Sequence, residues 1–254
     1  MFKMEYVGSI FKTNNCGDLI IIGYINNRDV RVKFINTGYE TTVRLGDIKR
    51  GTVKDKLKPS VYGVGVIGGA IVLDDGKLER EYRLWRSMLA RCYSENTQKK
   101  QPTYVGCYVS KDFLYYPHFK EWCKTQIGFN FLDDKGNQFE LDKDILIKGN
   151  KAYSPETCCF VPKEINISLT SCEKARGAHL IGVCYNKRAK KYVAMSGKSE
   201  GLRYLSYFDS EVEAFYSYKQ TKELYIKSLA EKWKDQIDIR VYEVLMKWKV
   251  EMTD

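Results

Sequence analysis

The sequence predicts an α+β protein assembled from several small modules, and three observations support this fold class. Residues 6–60 alternate between apolar and polar positions in the manner of β-strands. Residues 79–93 have helical periodicity, with Tyr82 and Trp85 on one face. Residues 180–236 change from strand periodicity to helix periodicity. With 254 residues, the chain is long enough for two or three small domains.

The N-terminal module, residues 1–60, is expected to be an SH3-like β-barrel or a curled meander. Its strands are predicted over Leu19–Ile25, Val30–Phe34 and Tyr39–Leu45, with a fourth near Gly51–Lys54. Short turns separate these strands, which is typical of small all-β modules. Because such modules serve many purposes, this part of the fold predicts no function by itself.

A glycine-rich segment, residues 61–78, follows the N-terminal module. Its GVGVIGG run lacks the Gly-Lys-Ser/Thr ending of a phosphate-binding loop and the spacing of a dinucleotide-binding turn. We therefore interpret it as a flexible connector between domains. After it we predict a helix over Glu79–Tyr93, a short strand over Val105–Val109 and a helix over Phe113–Gln126.

The charge of the chain favours an anionic partner. The formal net charge is +10 and the isoelectric point is about 9.0, and nucleic acid is the commonest partner of such a chain. The basic residues are concentrated between Lys187 and Arg203, where six lysines and arginines face a single acid, Glu200. This cluster predicts either a nucleic-acid contact or a solvated basic hairpin.

Cysteine usage and hydropathy exclude several other classes of protein. The eight cysteines form no C-x-x-C pair and there are only two histidines, so no zinc module is expected. No apolar run approaches the roughly 18 residues of a membrane helix, and the N-terminus has no signal-peptide core. We therefore expect no membrane association, a cytoplasmic location and reduced thiols.

The C-terminal part, residues 179–254, is predicted to contain three short antiparallel strands and two helices. The strands are expected near 180–185, 191–196 and 202–208. Ser210 can cap a helix from Glu211 to Trp233, because two glutamates follow it in the first turn. A second amphipathic helix is predicted over Ile239–Val250.

The most informative stretch is LDKDILIKGNKAYSPETCCFVP, residues 141–162. An apolar and then acidic strand end leads into a Gly-Asn turn, a Ser-Pro-Glu helix start and a short apolar run. With three upstream blocks, this stretch resembles bacteriophage HNH-type proteins (ββα-metal nucleases), which are relatives of free-standing homing endonucleases. The blocks are W-x-x-M-x-x-R-C-Y (85–93), P-x-Y-x-G (102–106), F-x-x-W (119–122) and D-x-D…GN…YSPE-x-C…VP-x-x-x-N (142–166).

The resemblance implies an HNH-like ββα domain over residues 79–178 and assigns candidate catalytic residues. Asp142 and Asp144 are the implied ligands of a Mg²⁺ ion, and Asn150 and Asn166 are implied to orient the base or to ligate the metal. Lys143 is the fifth candidate, because it stands where the family has the histidine that deprotonates water. A lysine ammonium is a poor general base but could contact phosphate as a point charge.

Residues 181–218 resemble an apetala-type domain, the plant ethylene-response-factor DNA-binding module that also accompanies phage HNH nucleases. The resemblance rests on Gly182-Val183, on the strands around 191–194 and 204–208, and on the helix start at 210–214. In that family a three-stranded sheet lies in the major groove. By position, the implied DNA-binding residues here are Arg188, Lys190, Lys191, Tyr192, Lys198 and Arg203.

Three functions follow as expectations. The first is a phage-type protein that binds double-stranded DNA on an HNH-like scaffold without cutting it, because Lys143 replaces the histidine. The second is an active nicking or homing endonuclease that uses Mg²⁺ with Asp142, Asp144 and Asn150. The third is a non-catalytic protein whose basic surface binds and interferes with a host protein.

Overall fold

The computed structural model of the protein describes residues 6–170, 179–195 and 206–253. The predicted α+β class is confirmed, because these residues form several small sheets and eight α-helices. The chain divides into two compact units, Met1–Glu121 and Trp122–Asp254. In the part of the chain that is described, no helix combines the length and the apolar character needed to cross a membrane.

The first unit begins with a four-stranded antiparallel meander. Its strands β1 (Ile10–Lys12), β2 (Asp18–Asn26), β3 (Asp29–Phe34) and β4 (Glu40–Val43) are hydrogen-bonded in chain order. Alternate residues of β2 and β3 point to one face and are fully buried: Leu19, Ile21, Val30, Val32 and Phe34. The helix α1 (Leu45–Lys49) adds Leu45 and Ile48 to this core.

Of the two predicted alternatives, the barrel is wrong and the meander is found for the described residues, because this sheet stays open. Its edge strands β1 and β4 pair with β2 and β3 only. The predicted fourth strand near Gly51–Lys54 is also wrong, since the chain enters α1 after β4 and Gly51 then turns with a φ of +66°. The buried side chains of α1 cover the apolar face of the sheet. In a barrel, this face would be buried by closing the sheet on itself.

The glycine-rich segment is packed rather than flexible around Gly65. A methyl group added at Gly65 would lie 2.5 Å from a Leu89 methyl carbon and 2.8 Å from the Trp85 ring. The next residue, Val66, accepts a hydrogen bond from Tyr116 N and donates one to Leu114 O, both at 2.9 Å. The segment ends in a hairpin of two short strands, β5 (Leu73–Asp74) and β6 (Lys77–Leu78).

Five further elements follow in this part of the chain. They are α2 (Arg80–Tyr93), α3 (Glu95–Lys100), β7 (Tyr108–Val109), α4 (Lys111–Leu114) and α5 (Tyr116–Thr125), with a short 3-10 helix at Pro102–Tyr104. The helix predicted over Glu79–Tyr93 is confirmed, and its apolar stripe is buried. The single helix predicted over Phe113–Gln126 is interrupted, because Tyr115 has an extended backbone (φ −95°, ψ 108°).

The second unit contains the stretch 141–162 in a strand–strand–helix order. The strand β8 (Glu140–Asp142) pairs antiparallel with β10 (Cys159–Val161), which places Asp142 opposite Cys159. The short strand β9 (Ala152–Tyr153) lies between them in sequence, and the helix α6 (Lys163–Leu169) follows. All three residues of β10 are buried, in agreement with the predicted apolar run.

The C-terminal elements are confirmed, with the last helix ending at Met246 rather than Val250, and the predicted strand residues 196 and 202–205 lie outside the described residues. The strands β11 (Val183–Asn186), β12 (Lys191–Ala194) and β13 (Ser206–Phe208) form an antiparallel sheet, followed by α7 (Glu211–Trp233) and α8 (Ile239–Met246). The predicted cap is present, since Ser210 Oγ accepts a hydrogen bond from Val212 N at 3.2 Å. One face of the sheet packs on α7 through a cluster that includes Val183, Ala194 and Phe215.

Candidate functional site: a buried lysine in the turn after β8 and a cationic hairpin

Lys143 begins the loop after β8, and its side chain is folded into the protein. The side chain is only 8% exposed, although lysine is almost never buried without a partner. Its Nζ donates to Asp144 Oδ2 at 3.0 Å and to the backbone oxygen of Asn150 at 2.9 Å. The same Nζ lies 5.8 Å from the centroid of the Tyr153 ring. The ammonium group is therefore held by a carboxylate, a carbonyl and an aromatic ring.

Asn150 closes the loop that contains this lysine. Its side-chain Nδ2 donates to Lys143 O at 2.6 Å and to Ala152 O at 2.7 Å, and its Oδ1 accepts from Ala152 N at 3.1 Å. The preceding Gly149 has a φ of +79°, which favours glycine. The predicted Gly-Asn turn is confirmed. The Asn150 amide has its partners within the loop, so its position is structurally determined by the local backbone.

Asp142 caps the start of the same loop. Its Oδ1 accepts hydrogen bonds from Asp144 N at 2.8 Å and from Ile145 N at 2.9 Å, a pattern common where Asp begins a turn. Burial, together with the nearby negative charge of Asp144, raises the pKa of this carboxyl to about 6, against the effect of the two backbone donors. Asp142 therefore holds a proton more tightly than an exposed aspartate.

Asp142 and Asp144 do not fit the Mg²⁺ ion that the HNH resemblance implies. Mg²⁺ takes six oxygen ligands, of which usually one or two are protein carboxylates and several are waters. Here the Lys143 ammonium already lies at 3.0 Å from Asp144 Oδ2, so a metal on that oxygen would meet a like charge. Among the described residues, no group of three histidines, cysteines or acids is arranged to hold a metal ion.

Asn166 and the predicted helix start, residues 154–156, lie beyond this loop, and the predicted helix start is wrong, because residues 155–157 form a turn that leads into β10. The Nδ2 of Asn166 donates to Glu140 Oε2 at 2.8 Å, which joins α6 to β8. Thr157 Oγ1 donates to Ala152 O at 2.8 Å. The Glu156 side chain lies at the surface, where a hydrogen bond from Ser154 lowers its pKa. The five candidate catalytic residues are thus divided, with four in the turn and Asn166 beside Glu140.

Two cysteines lie next to this loop, but neither is arranged as a nucleophile. Burial raises the pKa of Cys158 to about 12, and it raises the pKa of Cys159 well above the usual thiol value. Both thiols are therefore protonated at neutral pH, whereas a nucleophilic cysteine needs a thiolate. The seven cysteines in the described ranges are all free thiols.

The β11–β12 turn, which we call the cationic hairpin (residues 186–190), presents basic side chains to solvent. Lys187, Arg188 and Lys190 are all exposed. The turn is fixed from within, because Asn186 Oδ1 accepts from Arg188 N and from Ala189 N, each at 3.0 Å. Lys190 adopts a φ of +54°, which completes the turn. The hairpin is therefore a fixed loop that carries three cations and no acid.

Lys191 and Tyr192 point to opposite faces of the sheet. Lys191 forms an ion pair with Asp209 at 2.8 Å, which neutralises part of its charge. Tyr192 packs against the core cluster on the α7 side and makes edge contacts with Tyr185 and His179, at 5.1 and 5.9 Å between ring centroids. Arg188 and Lys190 thus lie together on the hairpin, whereas Tyr192 is partly buried against the core cluster. Lys198 and Arg203 are outside the described residues.

The structure adds two residues that the sequence reasoning missed. Tyr207 lies opposite Val193 in the sheet, so it shares the face of Lys191, and it is 53% exposed. Asp209 is the acidic partner of Lys191. The period-two alternation of 206–209 could have placed both on this face. The burial of Lys143 was also missed, although a lysine between two aspartates at a strand end was a visible signal.

Comparison of the chain with known proteins gives no match. Neither a protein family, a curated protein nor a solved structure is significantly similar to it. The geometry of the site and the chemistry of its residues are therefore the basis for any functional conclusion.

Proposed function

We propose that this protein binds double-stranded DNA through the sheet β11–β13 and does not cleave it. The observation that carries the proposal is the cationic hairpin, whose Lys187, Arg188 and Lys190 side chains are exposed on an internally hydrogen-bonded turn. Exposed cations on one turn can neutralise backbone phosphates and release counterions, which is a large source of affinity for DNA. The net charge of +10 agrees with a polyanionic partner.

The residues on the sheet face opposite α7 support the same proposal. Lys191 and the exposed Tyr207 lie on this face, next to the hairpin. A tyrosine beside phosphate-binding cations can pack on a deoxyribose or donate its hydroxyl to a phosphate. Tyr192 supports the sheet from the core side rather than touching DNA. We therefore propose that the sheet contacts the DNA backbone, as the apetala resemblance implies. Arg188 and Lys190 are the first candidates for these contacts.

The absence of cleavage is proposed because of what Lys143 does in the turn. Hydrolysis of a phosphodiester by an HNH-type site needs a base that takes a proton from water. The lysine at this position donates both of its observed hydrogen bonds, to Asp144 and to the carbonyl of Asn150. The side chain that replaces the base thus acts as a structural cation, and the strand–strand–helix segment serves as a scaffold.

Salt-dependent binding to a short mixed-sequence duplex tests the DNA-binding proposal. Fluorescence anisotropy at several salt concentrations is expected to give a linear fall of log Kobs with log salt. Replacing Arg188 and Lys190 together by alanine should flatten that slope by about 0.9 for each phosphate that is no longer neutralised. The control is Lys234→Ala, an exposed lysine at the end of α7. Affinity that ignores salt would reject DNA and favour a protein partner, whereas a salt-dependent affinity with equal slopes for all variants would reject the cationic hairpin as the DNA contact.

A further inference from the structure

The long helix α7 presents an apolar stripe to solvent. Its Val212, Tyr216 and Leu224 are 46%, 56% and 61% exposed. Together with Gln220 they recur at intervals of four residues, so they lie along one side of the helix. We call these four residues the outer stripe. It is about 18 Å long, because each residue of a helix adds about 1.5 Å.

The other side of α7 is buried in the second unit. The residues buried there are Ala214, Phe215, Tyr218, Ile226, Leu229, Ala230 and Trp233. Near the start of the helix, this buried side packs on the sheet β11–β13. The Tyr216 ring lies 5.6 Å from the ring of its neighbour Phe215, between centroids, and more than half of Tyr216 stays exposed. A continuous exposed apolar surface of this kind commonly marks an interaction site.

Two opposite charges lie at equal distances from the middle of the outer stripe. Glu213 is seven residues before Gln220, and Lys227 is seven residues after it. Because seven residues make nearly two helical turns, both side chains share the face of Gln220. Glu213 is exposed and Lys227 is partly exposed. Within the ranges that the structure describes, neither side chain makes an ion pair.

We propose that the outer stripe binds the same stripe of a second copy of this chain, with the two α7 helices antiparallel and centred on Gln220. Tyr216 of each copy then lies level with Leu224 of the other, and Glu213 lies level with Lys227. The two Gln220 amides can donate to and accept from each other. In a parallel pair each charge would face its own like charge. The charge pattern therefore favours the antiparallel, twofold arrangement.

The contact is expected to be weak and dependent on concentration. A pair of single helix stripes buries less than the roughly 1,200 Å² in total that a stable interface needs. Pairing through this side of α7 leaves free the opposite face of the sheet and the cationic hairpin. The inference goes beyond the proposed DNA binding, and its test contains no nucleic acid, so either proposal can fail without the other.

Sedimentation velocity of the full chain over a range of micromolar concentrations tests the pairing. The mass is expected to rise from 29.5 kDa towards twice that value. Leu224→Gln should weaken self-association about tenfold or more, because it removes an apolar contact. The matched control is Ile239→Gln at the start of α8, since Ile239 is 62% exposed and lies outside the stripe. That control should associate as the unchanged protein does, and far-UV circular dichroism checks that both variants are folded.

Charge reversal tests the register without changing the apolar side chains. Glu213→Lys and Lys227→Glu should each weaken self-association about tenfold or more, because like charges then face each other twice in the antiparallel pair. Mixing the two variants should restore association, since each copy then supplies the charge that the other lacks. The variant that carries both reversals should associate as the unchanged protein does. A role of Glu213 within its own helix explains neither form of rescue.

Oxidative cross-linking tests the orientation of the two helices. Gln220→Cys should form a dimer linked by a disulfide, because this position meets its own counterpart at the centre of the pair. Lys234→Cys, an exposed position at the end of α7, should give only the background of the unchanged protein. Self-linking of Lys234→Cys would show a parallel pair and overturn the proposal. A chain that stays monomeric at every concentration, or a dimer that Leu224→Gln and both single reversals leave unchanged, would overturn it as well.

Discussion

Lys143 Nζ lies 3.0 Å from Asp144 Oδ2, and this pair joins a buried lysine to a half-exposed aspartate. The lysine side chain is 8% exposed and that of Asp144 is 47% exposed. The burial cost therefore falls mostly on the ammonium group, whereas the carboxylate keeps much of its hydration. The two partners are predicted to respond differently to mutation.

Removing the carboxylate should cost more than removing the cation. Asp144→Asn leaves the buried ammonium with a neutral partner, and we expect a loss of about 1–2 kcal/mol in the free energy of unfolding. Lys143→Met fills the same space with an apolar chain of similar length, and the expected change is within about 1 kcal/mol. Urea unfolding of the two variants measures the difference. A larger loss in Lys143→Met than in Asp144→Asn would show that the ammonium itself stabilises the turn.

Asp142 is predicted to make stability fall as the pH rises. Burial and Asp144 raise its folded-state pKa from 3.8 to about 6, so the folded protein binds this proton more tightly than the unfolded chain. The carboxyl is protonated in both states well below pH 3.8 and carries no penalty there. The penalty for ionising it develops between the two pKa values and is complete above about 6.

The variant Asp142→Asn tests that linkage, because an amide oxygen can still accept from Asp144 N and Ile145 N. We expect the variant to be more stable than the unchanged protein at pH 8, by on the order of 2–3 kcal/mol. The difference should shrink to near zero by about pH 4. Chemical unfolding at both pH values gives the two differences. A variant that is less stable at pH 8 would mean that the charged carboxylate is favoured in the folded state.

Gly182, which directly precedes β11, is predicted not to tolerate a side chain. A methyl group there would lie 2.1 Å from Tyr218 Cγ, and the residue has a φ of +72°. Gly182→Ala should therefore lower the free energy of unfolding by about 3 kcal/mol or more, because backbone strain and overpacking act together.

Gly149→Ala is the matched control for that variant. Gly149 has a similar φ of +79°, but nothing lies within 4 Å of an added methyl group. In Gly149→Ala the free energy of unfolding should fall only by the cost of the backbone conformation, about 1 kcal/mol. Thermal unfolding of the two variants isolates the effect of Tyr218. Equal losses of stability in the two variants would show that backbone strain alone explains why Gly182 does not tolerate a side chain.

Local patterns in the sequence predicted much of the fold. Alternation located β2, β3, β11 and β12, and the cap at Ser210 located the start of α7, because burial of one face produces these patterns directly. The openness of the N-terminal sheet was not predictable in this way. It depends on α1, a helix of only five residues whose two buried side chains carry too little periodicity to detect.

The candidate site was predicted only in part, for a physical reason. The spacing of Asp142, Lys143 and Asn150 indicated a turn, but spacing does not tell whether a side chain folds inward. Lys143 is buried because the Asn150 carbonyl and Asp144 satisfy its ammonium together, and that depends on the path of the loop. Tyr192 likewise was assigned to DNA by position, whereas the pairing of β12 turns it toward α7.

The most direct test of the central claim is a supercoiled plasmid incubated with the protein and Mg²⁺ or Mn²⁺, with binding followed in the same samples. If the protein binds DNA without cutting it, the plasmid should be retarded in a gel at low salt and released as the salt concentration rises. It should stay supercoiled throughout. Asp142→Ala should leave that outcome unchanged. Nicking by the unchanged protein that disappears in Asp142→Ala would contradict the claim and establish a metal-dependent nuclease.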